Sequence, residues 1–298
     1  MDIMQQKPIL LIDGRNAAYR AYYAGVTDLK FRNSEYHYFI IWLRFIHFWL
    51  REFSPSSIHI FWDCHKHDIW RCNILKEYKA HRDAMAHAMA HDRIDEIQKI
   101  AFEIMPHIGC RQYMRNHQEA DDLIYAACNI LRGSPIIIIS SDSDMSQIPY
   151  LIENVRHYEP KNKIMHGKSD FNPIIQKALM GDKADNIDGY LGIGKKKSEL
   201  LARNSKALIE FLDKHGDAKF KQNIMLIDIS INPNRINNEL YIRREMNKSI
   251  KYDRSIIMRK AMELKITGLG TEYSSIVQPF KSMVDVDSAA FQENLFNF

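Results

Sequence analysis

Cysteine is scarce in this 298-residue chain: Cys64, Cys72, Cys110 and Cys128 are the only four, and no two stand as Cys-x-x-Cys. That argues against a disulfide framework or a cysteine zinc site and leaves reduced thiols, the normal state in a cytosolic compartment. Long apolar runs are also missing. The most apolar stretch, residues 38–50, carries Arg44 and His47 and is too short to span a bilayer. Its apolar residues nearly encircle a helix, so a buried core helix is expected there. No internal repeat and no long low-complexity segment is present. The chain runs directly into a strand-like stretch, so no signal peptide is expected. Net charge is only +4, with 46% hydrophobic and 26% charged residues. These values suit a soluble globular protein with a sizeable core, in one large or two smaller domains.

What the chain does have is aspartate and glutamate in telling places. Residues 9–12, 58–62 and 136–139 are short Ile-rich runs that read as buried parallel strands. Asp13, Asp63 and Asp142 follow them within a few residues, and Asp144 comes directly after Asp142 in Ser-Asp-Ser-Asp. Glu119, Asp121 and Asp122 lie in Glu-Ala-Asp-Asp, and Asp182 and Asp185 in Met-Gly-Asp-Lys-Ala-Asp-Asn. Carboxylates at the carboxyl ends of parallel strands face the crevice where open α/β sheets bind ligands. Bare like charges about 4 Å apart repel by roughly 4 kcal/mol per pair at an effective dielectric near 20. Such a cluster persists only if protons or cations neutralise it. An all-oxygen donor set favours Mg²⁺ or Mn²⁺ over zinc. The mild positive net charge then places the basic residues elsewhere, as in a protein holding a polyanion beside a metal site.

Helical patterns over residues 34–53, 94–105 and 118–131 alternate with the strands, which argues for an α/β sheet with helices on both faces. Residues 64–92 interrupt this alternation with Lys66, Arg71, Lys76, Lys79, Arg82 and several histidines. From about Asn172 the chain reads as helical, and residues 282–294 as a flexible tail.

Each acidic motif alone has a structural alternative. Ser-Asp-Ser-Asp also serves as a turn and helix N-cap. Glu-Ala-Asp-Asp opens an apolar helix, where acids favour the dipole. Asp182 and Asp185, three apart, also describe a solvated helix face. Their joint occurrence in this order points to a composite site.

The order of blocks resembles a known family. Residues 11–22, Leu-Ile-Asp-Gly-Arg-Asn-Ala-Ala-Tyr-Arg-Ala-Tyr, are similar to the opening of the 5′-nuclease domains of bacterial family A polymerases. Glu-Tyr-Lys-Ala-His-Arg at 77–82, Glu-Ala-Asp-Asp at 119–122, Ser-Asp-Ser-Asp-Met at 141–145 and Met-Gly-Asp-Lys-Ala-Asp-Asn-Ile at 180–187 follow in the family's order. Gly192-Ile-Gly194-Lys195 comes next. The likeness covers residues 8–212 and is closest to stand-alone, phage-type members of the 5′-nuclease (flap endonuclease) family. Ser143 departs from the glycine or lysine of many relatives, at a position that varies.

The resemblance implies an α/β fold with a PIN-like, mostly parallel twisted sheet (residues 1–168) and a basic helical arch over 64–92. It implies a helical DNA-binding subdomain with a helix–three-turn–helix motif (169–281) and a tail (282–298). Asp13, Asp63, Glu119, Asp121 and Asp142 would form the tighter of two Mg²⁺ sites, directly or through water, with Mn²⁺ able to substitute. Asp144, Asp182 and Asp185 would form the second, and Asp122 would be a shared or outer ligand. Lys79 and Arg82, on one face if helical, would clamp phosphate. Tyr78 would stack on a base or pack against the arch, while Arg20, Lys66 and Arg71 are weaker nucleic-acid contacts. Gly189, Gly192, Gly194, Lys195, Lys196 and Lys197 would grip duplex DNA through backbone N–H groups, with K⁺ held by loop carbonyls. Gln292, Leu295, Phe296 and Phe298 resemble a clamp-binding peptide or else dock on the parent domain. Implied partners are DNA with a 5′ end or flap, an RNA primer–DNA hybrid, a sliding clamp and a single-stranded DNA-binding protein, with no membrane. A monomer in a bacterial or phage-infected cytoplasm is the default. The expected activity is metal-dependent 5′-3′ exonuclease and flap endonuclease. A PIN-like endoribonuclease would lack the 189–197 grip, and a non-catalytic DNA-structure scaffold would have lost acidic ligands.

Overall fold

The computed structural model describes residues 6–27, 37–64, 69–79, 88–266, 269–270 and 273–283. Its first two-thirds contain β1 (Ile9–Asp13), α1 (Gly14–Thr27), α2 (His37–Phe53), β2 (Ser57–Phe61), α3 (Ala88–Ile108) and β3 (Arg111–Tyr113). These are followed by α4 (Ala120–Ile130), β4 (Ile136–Ile139), α5 (Gln147–Leu151), β5 (Val155–Glu159) and β6 (Ile164–His166). The six strands form one sheet in the order β3-β2-β1-β4-β5-β6, parallel throughout except at the β5–β6 edge. The three Ile-rich runs are its centre, as expected of strands buried on both faces.

Strand alternation divides the core in two. Leu10, Ile12, Ile58, Ile60, Ile137 and Ile139 face one cluster, built with α1, α2 and α3. Ile9, Leu11, Phe61, Ile136 and Ile138 face the other, built with α4. The core helix read from residues 38–50 lies within α2, with Phe39, Trp42, Leu43, Ile46 and Trp49 buried. Trp42 stacks on Trp62 just past β2, ring centres 5.7 Å apart.

Connections from β1 and β4, which are neighbours, leave to opposite sides of the sheet. The crevice at the carboxyl ends of these two strands is therefore a topological switch point. β3 and β6 carried little sequence signal, being three residues each, and every residue of β6 is exposed.

Beyond the sheet come α6 (Pro173–Met180), β7 (Gly181–Asp182), β8 (Ile187–Asp188), α7 (Lys195–Arg203), α8 (Ser205–His215) and α9 (Ala218–Ile227). Asn172 caps α6 by accepting from the amides of Ile174 and Ile175, with proline at the first position. These elements make a helical subdomain, whose Ile174, Ala178, Leu226 and Ile227 pack against Ile69, Trp70 and Tyr78. The segment after β2, expected to be poor in large apolar residues, thus docks through those it has.

The helices that follow pack back onto the sheet. α10 (Arg235–Met246) returns to the sheet's α4 side through Ile242 and Met246. α11 (Arg254–Glu263) returns to α3 through Ile257 and Ala261, and Tyr273, Val277 and Phe280 complete that core. These apolar side chains complete the two sheet cores.

The two-residue ladder of β7 and β8 closes the loop between α6 and α7. A Cβ on Gly189 would lie 2.0 Å from the Met180 carbonyl oxygen, and one on Gly181, at φ +79°, 2.3 Å from the Gly189 nitrogen. Gly189→Ala is expected to destabilise the protein by about 1–3 kcal/mol through this overpacking. A urea midpoint equal to wild type would mean the closure is looser than described.

Candidate active site

Local structure aims each acid at the crevice. Asp13 is the last residue of β1, with one oxygen accepting the Asn16 amide (2.9 Å) and the other the Ser140 hydroxyl (3.0 Å). Ser140 also accepts the Asp142 amide at 3.0 Å, so the ends of β1 and β4 are stitched together. Asp142 caps a 3-10 turn over Ser143–Ser146 by accepting the Asp144 amide. Asp63 accepts the Ala120 amide at 2.8 Å, joining the end of β2 to the start of α4. Glu119 and Asp122 form a reciprocal capping box at that start. Capping by these residues leaves them grouped at the crevice.

Two trios converge. Glu119, Asp121 and Asp122 each offer an oxygen within 4.8 Å of the others, and so do Asp144, Asp182 and Asp185. The second trio joins Asp144 to residues 38 and 41 positions further on, and Asp182 caps a 3-10 turn over Lys183–Asp185 that Asp185 ends, rather than the two sharing an α-helical face.

Burial makes this charge expensive. Burial, with Asp63 and Asp142 nearby, pushes Asp13 up to about 7. Asp121 is raised well above the usual carboxylate range by burial, with Asp122 and Glu119 adding to it against Arg71. Asp144 is raised by burial against the pull of Lys177. Glu119 goes the other way: despite its burial, Lys79 and Arg71 hold it down at about 2.

Arg71 is not where the sequence suggested. Expected on the surface as a DNA contact, it is 1% exposed beneath the carboxylates. It pairs with Glu119 at 2.5 Å and Asp122 at 3.2 Å, and its Nε donates to the Leu226 carbonyl at 2.9 Å. Asp122 is saturated: its oxygens accept from Trp70 Nε1, both Arg71 Nη atoms and the Glu119 amide. With its acceptor positions filled by protein donors, Asp122 suits an outer, orienting place and not direct ligation. Tyr78 is likewise buried, its hydroxyl donating to Asp185 at 3.2 Å and Glu119 at 3.4 Å. Of its two expected roles, only packing beneath the site is open to it.

Lys79 pairs with Glu119, and its amide donates to the Asp185 carbonyl at 3.1 Å. Its φ of 57° is left-handed, so the helical face expected to run from Lys79 to Arg82 does not start at Lys79. Lys66, Arg82, Gln292, Leu295, Phe296 and Phe298 lie outside the described residues. Lys177 was missed altogether. From α6 it pairs with Asp144 and, at 2.6 Å, with Asp182. Its only sequence signal was its position five residues before Asp182, one among many lysines.

At the crevice edge, Arg20 lies over the Phe45 ring (5.2 Å) in a cavity of about 460 Å³ shared with Asn16, Tyr19, Tyr23 and Lys161. On the other side, Lys195, Lys196 and Lys197 form the exposed first turn of α7, which Gly194 opens without a side-chain cap. The close approach that Gly189 permits is to its own chain at Met180, whereas Gly192 and Gly194 face open space. Among the described residues no helix is long and apolar enough to cross a membrane.

The raised pKa of Asp13 has a sign that can be tested. An acid raised on folding contributes stability that is intact below its unfolded pKa near 4 and lost as pH rises through about 7. In EDTA, Asp13→Asn is therefore expected to raise Tm over wild type at about pH 8, with the gain fading below about pH 5. Calorimetric scans at both pH values check it, and a gain confined to acid pH would reverse the assignment.

The family described as 5′-3′ exonuclease, N-terminal resolvase-like domain, matches residues 8–177. The chain is 29% identical over 218 residues to a 5′-3′ exonuclease of Mycoplasmopsis pulmonis, covering 70% of each. It is 30% identical over 246 residues to DNA polymerase I of Streptococcus pneumoniae, covering 74% of this chain and 27% of the polymerase. Among solved structures it is similar to T5 5′-exonuclease with divalent zinc bound, at 17% identity and a TM-score of 0.63 over 87% of this chain and 98% of that one. A bacteriophage T5 flap endonuclease in complex with DNA and metal ions gives a TM-score of 0.62 at 19% identity, over 88% and 99%. At these identities the structural likeness is one of fold.

Proposed function

This chain belongs to the 5′-3′ exonuclease family and is a phosphodiester-hydrolysing nuclease; from that premise we propose that it acts, with divalent metal, on 5′ ends and 5′ flaps of DNA, RNA primers included, during replication. The observation that carries this reading is the gathering of two carboxylate trios at the carboxyl side of the sheet, one of them drawing Asp182 and Asp185 from the segment between α6 and α7.

The donor set fits two hard divalent cations. All donors are carboxylate oxygens. Burial raises Asp13, Asp121 and Asp144 even with Arg71, Lys79 and Lys177 in place, so a divalent cation is what would let these acids ionise together. Asp13, Asp63, Glu119, Asp121 and Asp142 would hold one ion, and Asp144, Asp182 and Asp185 the other. When bound, such a pair lowers the pKa of an attacking water and stabilises the entering and leaving oxygens of an in-line displacement.

The remaining work falls to the chain's own groups. Arg71 and Asp122 orient Glu119 from beneath. Lys79, at the open edge of the crevice, is placed to offset charge on a scissile phosphate. Lys195, Lys196 and Lys197, with the uncapped start of α7, suit a duplex backbone without reading sequence. This is the helix–three-turn–helix reading of residues 173–203, with K⁺ as a further occupant of its loop. The PIN-like classification of the sheet belongs to the same proposal.

With a labelled 5′-flap DNA, Mg²⁺-dependent release of the flap is expected, abolished by EDTA. Asp144→Asn is expected to slow cleavage by at least about 100-fold while flap binding stays near wild type. Cleavage of single-stranded RNA in preference to the flap would favour the endoribonuclease reading, and wild-type turnover by Asp144→Asn would break the two-metal assignment.

A further inference from the structure

Ser140 stands at the centre of the crevice without being an acid. Its hydroxyl donates to Asp13 at 3.0 Å and accepts the Asp142 amide at 3.0 Å, so its position sets the spacing between the carboxylates of two neighbouring strands. What holds Ser140 is unusual. In the β4–β5 ladder Ile138 pairs with His157 and Ile139 with Tyr158, and the Ser140 amide donates to the Tyr158 carbonyl at 3.3 Å. In a parallel ladder the Ser140 carbonyl would next receive the N–H of residue 160. That residue is Pro160, which has none. The imidazole of His157 takes its place: Nε2 lies 2.8 Å from the Ser140 carbonyl oxygen. Facing a carbonyl, Nε2 carries the proton and donates. His157 is 3% exposed and, among the described residues, its Nδ1 is buried without a partner, so the ring serves the one bond to Ser140. The His166 ring directly across β6 packs on it with centres 5.6 Å apart.

We infer that His157 is a positioning residue of the metal site: it replaces the ladder donor lost at Pro160, holds Ser140, and through Ser140 sets Asp13 against Asp142. Its ring hydrogen-bonds the Ser140 carbonyl and acts on the carboxylates only through Ser140. The inference rests on the metal reading above, and outer residues that orient metal ligands commonly change affinity or activity by about 10–100-fold.

The test compares wild type with His157→Leu, which packs without donating, His157→Gln, which keeps a donor at similar reach, and the double change His157→Leu with Pro160→Ala, which supplies the missing main-chain N–H. Mn²⁺ affinity is read by calorimetry without DNA, and kcat and KM on a 5′-flap DNA at fixed Mg²⁺. His157→Leu is expected to weaken Mn²⁺ binding by about 10-fold and to lower kcat with KM unchanged. His157→Gln and the double change are expected to recover most of both. Wild-type Mn²⁺ affinity in His157→Leu, or equal loss in the Leu and Gln chains, overturns the inference. So does a double change that stays as weak, or as poorly folded, as His157→Leu. Failure of wild type itself to bind Mn²⁺ would instead remove the metal reading on which the inference stands.

Discussion

A guanidinium buried under the site ties the molecule together. Arg71 sits in the segment after β2, yet its charge is shared by Glu119 and Asp122 at the head of α4, and its Nε reaches the Leu226 carbonyl at the end of α9. One side chain thus connects the strand-following segment, the sheet's acidic helix and the helical subdomain. Removing one partner from a buried pair costs about 3–5 kcal/mol, because the other charge is left in a dry interior. The arrangement is accordingly rigid where a metal site needs rigidity, since Asp122 and Glu119 cannot swing without exposing or stranding Arg71.

The same economy runs through the crevice. The crevice acids commonly meet a backbone need as well as a site need: Asp142 and Asp182 cap 3-10 turns, Glu119 and Asp122 box the start of α4, and Asp63 accepts the second amide of that head. A carboxylate fixed by backbone N–H groups keeps its free oxygen aimed without losing further side-chain entropy when a cation arrives. Lys79 and Lys177 offset charge from the open side while Arg71 does so from below, which grades the site from fixed to adjustable.

Much of the centre was legible because it follows local rules. Ile136–Ile139 could be little other than a buried strand, and α2 follows from apolar residues around nearly the whole helix. The acids were found because they follow strand ends, and their order met a known family. What stayed hidden had no local signature. Arg71 and Tyr78 belong to a basic stretch that interrupts the strand–helix alternation, and the burial of Ile69 and Trp70 with residues of α6 and α9 takes them inside. Lys177 sits beside Gln176 on a mainly apolar helix, with nothing local to mark it. That Gly189 passes close to Met180 of the same chain also had no local signature.

By itself the amino-acid sequence determined the strand cores, the α/β alternation, the inventory of carboxylates and the family. Those depend on side-chain periodicity and spacing along the chain, which sequence carries directly. The tertiary structure decided that α10 and α11 pack back onto the sheet, and which partners Arg71 and Lys177 have. It also decided that Asp144 meets Asp182 and Asp185, and that His157 covers for Pro160. These outcomes rest on distance and burial between residues far apart in sequence. Electrostatic and hydrogen-bond energies are set by that separation and by the exclusion of water, and neither is written in local order.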